Sequence, residues 1–514
     1  MTLTFEASKT QDLTCLANNI PLHSKYNPKS EAKKFVDSIE VDFSPKNIII
    51  TGPCLSYTKD FLKQRFPYSR LVAIQYSSDF TPYSDCWDAV FIVNKNENSL
   101  IFEEKLFNFL GEENIFATLF LSWKPSEKVF CEEYNFTWNC IKNVIEKNRS
   151  IVATRTYFNK TWFFNSLHFF KFIKRPVFFS SDKSFLFDLP IVITASGTSL
   201  KNQIKFLQEN QKHFYILALS SSLSVLLEND ILPDLVLTTD GGYYAKRHLK
   251  ILETNEKFSN IPIIIPPEAK ISSKLLECNP IIPLNYNDSF DSIFFTECRF
   301  FTLSGKRNGT VSGTAAELAL NLTKNNIYFI GLDLASSKGF SHTQPNTLEL
   351  DNSLIDNKLK STETRITPST FKNSSLEIYR NWFATRDINF YKRIFRITEK
   401  KDCLKQITNL SDVSNYEILT SENFISKSRT KNKITLSLQN QINISKEFLI
   451  NYFKAEKELF LKNQCKNQLE WYKIASYTDY LQLIRAKDTD KSKYFDILKE
   501  KVSSLFDELF DYLA

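Results

Sequence analysis

Short apolar runs, rich in β-branched residues, alternate with amphipathic stretches over most of residues 1–340. Asn47–Thr51 (NIIIT), Leu71–Gln75, Asp88–Val93 and Glu113–Trp123 carry the pattern of strands. A second series follows at Pro190–Thr194 (PIVIT), His213–Leu219, Asp234–Thr239, Ile261–Ile265, Arg299–Leu303 and Ile327–Leu332. Strands that alternate with helical segments predict βαβ units and mostly parallel sheets. The two series open alike: NIIITGPCLSYTKDFLKQRF leads to LVAIQYSSDF, and PIVITASGTSLKNQIKFLQEN leads to FYILALSSSL. Each is a buried strand, a tight turn with one Gly and a Ser, an amphipathic helix and another strand. Two Rossmann-like domains in tandem are predicted; whether they arose by duplication or merely share a common βαβ opening stays open.

From Ser341 to about Gln439 the chain turns polar, and one helix stands out there, SSLEIYRNWFATRD, with Ser375 as its N-cap and Ile378, Trp382 and Phe383 on one face. The remainder of that stretch reads as loops and short strands over the sheet edge. The C-terminal segment carries two helical stripes, one through Phe448, Leu449, Tyr452, Phe453, Leu459 and Phe460, the other through Phe495, Leu498, Val502, Leu505, Phe506, Leu509 and Leu513. The fold class is therefore α/β: two tandem Rossmann-like domains with mostly parallel sheets, residues 1–172 and 173–440, plus a C-terminal α-helical subdomain, residues 441–514.

Composition narrows the function. With 42% hydrophobic and 24% charged residues the chain is globular, and 514 residues exceed one ordinary core. A formal charge of +7 spread over that length, without a dense basic block, argues against nucleic acid and suits an anionic small ligand. The nine cysteines, Cys403 among them, form no CxxC pair, so reduced thiols are expected rather than disulfides or a zinc cage. No secretory pattern opens the chain, and its longest apolar runs, such as Ile261–Pro267, fall far short of a ~20-residue membrane span. A cytoplasmic protein with no integral membrane span is expected.

Glycine is scarce, and its distribution is the strongest signal. Eight of the ten fall between positions 197 and 339: Gly197, Gly241, Gly242, Gly305, Gly309, Gly313, Gly331 and Gly339. Most follow a predicted strand, where backbone must approach another atom closely. Open α/β sheets bind ligands outside the carboxyl ends of their strands, so one crevice in the second domain is predicted.

Five segments border that crevice. TASGTSL (Thr194–Leu200) places Gly197, Thr198 and Ser199 at a helix start, either a capped turn or a phosphate cradle; it matches neither a Walker loop nor GxGxxG. Ser220–Ser222 ends the next strand. In LPDLVLTTDGG, Asp234 reads as a turn or capping residue, while Asp240 is placed to accept hydrogen bonds from a ribose or base. SGKRNGTVSGTAAELAL offers Thr310, Ser312, Gly313 and Thr314 at a second helix start, with the cations Lys306 and Arg307. In IYFIGLDLASSKGFSHTQPN, Asp333 ends a strand and His342 follows in a polar loop; it is either a general base or an exposed loop histidine.

Taken in order, PIVITASGTSL, ALSSSLSVLLENDILPDLVLTTDGG, NGTVSGTAAELAL and IYFIGLDLASSKGFSHT resemble the motility-associated factor (Maf) family of flagellin glycosyltransferases, as do SWKPSEK and SSLEIYRNWF. The resemblance spans about residues 40–440. It implies a three-part architecture, a central domain similar to bacterial sialyltransferases, and transfer of a pseudaminic- or legionaminic-type nonulosonic acid from a CMP-activated donor to Ser or Thr of flagellin. Two positions depart from the family: its GPSL reads SGTSL here, with Ser196 and Thr198, and its Asp-Pro reads Asp240-Gly241.

Such a transferase has to hold the donor, stabilise the leaving phosphate and supply a base. Donor holding is assigned to Gly197, Ser199, Ser221, Asp240, Thr310, Ser312 and Gly313, phosphate stabilisation to Lys306 or Arg307, and the base to His342, with Asp333 next in line. No cofactor beyond the CMP-sugar substrate and no metal ligand set is expected. Two rivals remain: a pterin pyrophosphokinase-like enzyme using ATP, Mg²⁺ and the pair Asp240 and Asp333, and a non-catalytic flagellin-binding motility factor. The first βαβ opening lacks a glycine-rich second helix start and a downstream loop His, so no second active site is expected there.

Overall fold

The computed structural model describes residues 2–94, 96–180, 186–335, 342–359, 361, 374–399, 402, 404, 406–421, 430–439 and 444–514. Gly339, Cys403 and the expected boundary at 440–441 lie outside the described residues. The chain divides into two compact units, Met1–Asn159 with Lys466–Glu508, and Lys160–Cys465 with Leu509–Ala514.

The first unit is built on four parallel strands, β1 (Asn47–Thr51), β2 (Arg70–Gln75), β3 (Ala89–Ile92) and β4 (Thr118–Ser122), in the order β3-β2-β1-β4. All five residues of β1 are buried, as an unbroken Ile run covered on both faces requires. The expected strand over Glu113–Trp123 is shorter, because Glu112–Ile115 turns helical first. A three-stranded antiparallel sheet precedes this core (Leu3–Ala7, Leu13–Ala17, Ile20–Pro21). The helix α1 (Cys131–Phe172) starts in this unit and ends in the other.

The turn after β1 is filled by the unit's own side chains. The Cys54 N–H donates to Gln75 Oε1 at 3.1 Å and the Leu55 N–H to His23 Nε2 at 3.1 Å. The Trp123 indole stacks near His23, with ring centroids 5.3 Å apart, and donates to the Leu22 carbonyl at 2.9 Å. Amides that could have faced a phosphate are thus spent on protein groups.

The second unit carries nine parallel strands: β5 (Ile191–Thr194), β6 (Tyr215–Leu219), β7 (Leu235–Leu237), β8 (Ile263–Ile265), β9 (Ile281–Asn285), β10 (Leu303–Ser304), β11 (Ile327–Ile330), β12 (Ile394–Ile397) and β13 (Ser411–Val413). Their order is β10-β9-β8-β7-β6-β5-β11-β12-β13, all pairs parallel. The chain walks outward from β5 to β10 and then returns beside β5 with β11. That reversal is the topological switch point at which such sheets bind ligands.

The sheet differs from the expected strands in three places. β9 is an additional strand, hidden in the sequence by Pro280 and Pro283, residues that discourage a strand reading. Arg299–Leu303 shrinks to Leu303–Ser304, and the polar region contributes two full members of the sheet, β12 and β13. Three helices frame the crevice: α2 (Leu200–Asn210), α3 (Val311–Leu322) and, further along, α5 (Ser374–Ala384), with the short α4 (Thr347–Ser353) between the last two. The face that α3 turns inward is Ala315, Ala316 and Ala319, all at 0% exposure, and such small side chains let the helix lie close to the sheet.

The helical tail does not form one body of its own. Lys446–Leu461 belongs to the second unit, whereas Gln468–Ala475, Tyr477–Arg485 and most of Lys491–Leu513 pack within the first. The two stripes seen in the sequence therefore serve two different cores. Among the described residues no helix is long and apolar enough to cross a membrane.

Candidate functional site

Because the nine strands are parallel, the loops that leave their carboxyl ends share one edge of the sheet. That edge receives Gly197 after β5, Ser220–Ser222 after β6, Asp240–Gly242 after β7, Gly305 and Gly309 after β10, and Gly331 after β11. The glycine clustering thus marks one place, although its last member, Gly339, is outside the described residues.

At the switch point the exits of β5 and β11 touch. The Gly197 N–H donates to the Gly331 carbonyl at 2.9 Å, and a Cβ on Gly197 would lie 2.4 Å from that oxygen and 2.5 Å from Asp333 Cγ. Gly331 has φ +72°, and a Cβ there would meet the Ala195 carbonyl at 2.3 Å. Glycine is needed at both positions by contact between two backbones.

Asp333 sits under this crossing, only 2% exposed, and caps α2. Its Oδ2 accepts the Ser199 N–H at 2.8 Å and the Thr198 hydroxyl at 3.2 Å, and its Oδ1 accepts the Ser199 hydroxyl. Burial raises its pKa from the ordinary carboxylate value, and the bonds from Ser199 and Thr198 oppose that rise. This corrects two expectations: the α2 start offers its Ser199 amide to Asp333 rather than to a donor phosphate, and Asp333 has both oxygens occupied and is not poised as a base.

The second helix start differs. Thr310 is the N-cap of α3 in an extended conformation, and its side chain makes no capping bond. Its carbonyl accepts the N–H groups of Gly313 and Thr314 at 3.1 and 3.2 Å. Thr310, Ser312 and Gly313 are buried, and the Trp382 ring of α5 lies against Gly313, 3.0 Å from where a Cβ would sit. From the same helix, Arg380 donates to the Leu334 carbonyl at 3.4 Å, and burial with the nearby Asp240 raises the Tyr379 phenol. Leu334 holds φ +48°, a strained setting for a bulky residue. Therefore α5 reaches the loops after β7 and β11 and the start of α3.

The two cations diverge. Lys306 is exposed. Arg307 is held in a half-buried network: its guanidinium pairs with both oxygens of Glu268 and with Asp288 at 2.9 Å, between the rings of Trp162 (5.5 Å) and Tyr286 (4.7 Å). The guanidinium of Arg307, expected as a phosphate-stabilising cation, is occupied here by the carboxylates of Glu268 and Asp288. Asp291, wholly buried beside Glu268, is raised to about 7, chiefly by burial. Asp240 is exposed and accepts the Gly242 N–H at 2.8 Å. Asp234 accepts the Ile216 N–H at 2.8 Å and pairs with Lys431 at 2.6 Å, so it ties a strand edge.

His342 lies beside the β5 exit. Its neighbour Thr343 donates its N–H to the Ser196 carbonyl at 2.7 Å and its hydroxyl to the Gly197 carbonyl. Three residues later Asn346 donates to the Ser221 carbonyl at 3.2 Å. This strap places His342, 32% exposed, over the ends of β5 and β6, with Nδ1 3.2 Å from Oε1 of the buried Glu349 on α4. The His248 ring, from the turn Ala245–Leu249 after β7, is 6.3 Å away. Burial, then His342, lower the His248 pKa to about 4, with Asp240 opposing.

Glu349, His248 and Arg380 carry no sequence signal that marks them as site residues. One signal existed: Asn346 and Glu349 have the cap-plus-three spacing of a helix start, and the Glu349 N–H does donate to Asn346 Oδ1 at 3.4 Å.

Comparison with known proteins bears on both the crevice and the fold. The family model for 6-hydroxymethylpterin diphosphokinase MptE-like proteins matches residues 164–339. A protein of Treponema pallidum (strain Nichols), described as uncharacterized, is 30% identical over 321 residues, covering 62% of this chain and 66% of its own length, just short of two thirds. A solved Maf glycosyltransferase from Magnetospirillum magneticum AMB-1 superposes with a TM-score of 0.53 at 12% identity, covering 99% of this chain and 93% of that one. The chain has the Maf glycosyltransferase fold from end to end.

Proposed function

We propose that this chain, with the fold of a Maf glycosyltransferase, is a cytoplasmic glycosyltransferase that moves a nonulosonic acid from a CMP-activated donor to Ser or Thr of flagellin. The observation that supports it most is the meeting, at one switch point, of an uncapped helix start, an exposed carboxylate and a hydrogen-bonded loop histidine. The flagellin acceptor and the sugar class rest on the family resemblance of the sequence.

In this reading the donor phosphate lies at the start of α3, where Val311 and Ser312 amides and the helix dipole favour an anion, and Lys306 adds charge from solvent. Asp240 accepts hydrogen bonds from the ribose. His342 takes the proton of the acceptor hydroxyl while its oxygen attacks the anomeric carbon. The bond from that carbon to the phosphate oxygen breaks, and CMP leaves with the electron pair.

The MptE-like match favours a second reading, diphosphate transfer from ATP to a pterin with Mg²⁺. That chemistry would draw on Asp240 and Asp333, and Asp333 is already spent on Ser199 and Thr198. Calorimetry separates the two. The glycosyltransferase reading predicts CMP binding at least about tenfold tighter than ATP or UDP, roughly 1.4 kcal/mol, with or without Mg²⁺. Tighter, Mg²⁺-dependent ATP binding would replace it with the diphosphokinase.

A further inference from the structure

The loop histidine does not stand alone, and its partner fixes its chemistry. His342 Nδ1 is 3.2 Å from Glu349 Oε1. A carboxylate that is ionised only accepts hydrogen bonds, so this contact favours the tautomer with the proton on Nδ1 and the lone pair at Nε2. Glu349 is itself fixed: it is 4% exposed, lies in the first turn of α4, where the helix dipole favours negative charge, and follows the Asn346 cap that is anchored to Ser221. The backbone that carries His342 is anchored at the next residue, where Thr343 bonds the Ser196 and Gly197 carbonyls.

We propose that Glu349 is a positioning residue that selects the Nδ1–H tautomer of His342 and stabilises the imidazolium formed when Nε2 takes the acceptor proton. The inference rests on His342 being the base in the glycosyl transfer proposed above. The proton leaves the acceptor oxygen for Nε2 as that oxygen bonds the anomeric carbon; the ring is then a cation whose second N–H faces a buried anion. Among the described residues, the titratable groups facing His342 are Glu349 and His248, with Asp240 acting on His248. His248, held neutral by burial, adds no competing charge at neutral pH.

Two measurements on the full chain test this. In protein labelled with ¹⁵N at histidine, the His342 resonances, assigned by their loss in His342→Ala, should show the Nδ1–H tautomer. A dominant Nε2–H tautomer overturns the proposal with no reference to activity. In transfer assays with CMP-pseudaminic acid and flagellin, Glu349→Gln should lower kcat about 10- to 100-fold, as expected for impaired acid–base catalysis. The KM for donor and the CMP affinity should stay within about twofold, a margin too small to carry the loss in rate.

The acidic limb of the pH–rate profile should also move to lower pH, since the imidazolium has lost its anion. The double variant should be no slower than His342→Ala. If His342→Ala collapses transfer while Glu349→Gln leaves kcat and the acidic limb unchanged, the positioning role is wrong and the base assignment stands. If both variants keep full activity, the base assignment itself is wrong. Loss of CMP affinity in step with kcat in Glu349→Gln makes Glu349 merely structural.

Discussion

Replacing Asp333 by Asn tests the cap directly, because the side chain keeps its shape and one oxygen but loses its charge and second acceptor. In the native protein Oδ2 takes the Ser199 N–H at 2.8 Å and Oδ1 takes the Ser199 hydroxyl. A hydrogen bond to a charged group contributes about 1.5–3 kcal/mol, and an N-cap about 1 kcal/mol. Asn can keep the Ser199 N–H and Thr198 hydroxyl at its one oxygen but loses the Ser199 hydroxyl bond and the charge behind all three, while the neutral amide is easier to bury, so a net loss of about 2 kcal/mol at α2 follows. A chain of two units has no single unfolding free energy, so the readout must be local. Hydrogen–deuterium exchange over Leu200–Asn210 should speed up about 30-fold, the equivalent of that loss. Ser199→Ala should give a smaller loss, and the two combined should fall short of their sum by about 1 kcal/mol, because they remove the same bond. Unchanged protection of α2 in Asp333→Asn, together with collapsed turnover, would refute the cap and return Asp333 to the chemistry.

Other perturbations follow from contacts and buried charges. Gly197→Ala sets a methyl 2.4 Å from the Gly331 carbonyl, where only backbone could yield; overpacking of this kind costs about 2–3 kcal/mol, seen as a lowered thermal transition with little soluble protein for Gly197→Val. Asp291, raised to about 7, holds a proton in the folded state that the unfolded chain has already released, so stability falls as pH rises from about 4 to 7. Asp291→Asn should flatten that dependence and raise the calorimetric transition at pH 8; an unchanged slope would show that Asp291 does not titrate there. His23 has the opposite sign: burial lowers it to about 3, so its contribution is complete above the unfolded pKa near 6.5 and is lost on acidification. Between pH 6.5 and 5 the first unit should lose about 2 kcal/mol, read by exchange in β1, and His23→Gln should abolish the effect.

The edge of the sheet was legible because its physics is local. A β-branched run followed by Gly, as in PIVITASG and IYFIGLD, specifies both a buried parallel strand and a tight exit, and both appeared where expected. What the exits do was less legible. Asp333 and Ser199 are 134 positions apart in sequence, and only the pairing of β5 with β11 makes one the cap of the other. The same holds for Arg307, whose partner Glu268 is 39 positions away. A cation beside a glycine-rich helix start reads as a ligand contact until the acid that neutralises it is seen. Short strands were expected somewhere in the polar stretch, but β12 and β13 could not be placed because each is only three or four residues long; Arg396, buried in β12, is paired at 2.7 Å with Asp412, which lies at the surface in β13, a pairing that no hydrophobic pattern announces. The helical stripes were visible, but which core each stripe enters is set by long-range packing.

The proposed transfer of a CMP-activated nonulosonic acid takes place at the carboxyl edge of the large sheet, where α3 begins, Asp240 follows β7 and His342 lies over the ends of β5 and β6. Purified chain incubated with CMP-pseudaminic acid and unmodified flagellin tests it most directly, with the flagellin read by intact-mass spectrometry. Flagellin should gain a mass increment of whole nonulosonic acid residues, matched by free CMP, and neither product should form with His342→Ala. Flagellin of unchanged mass in the presence of a wild-type chain that binds CMP, or glycosylated flagellin from His342→Ala at the wild-type rate, would contradict it.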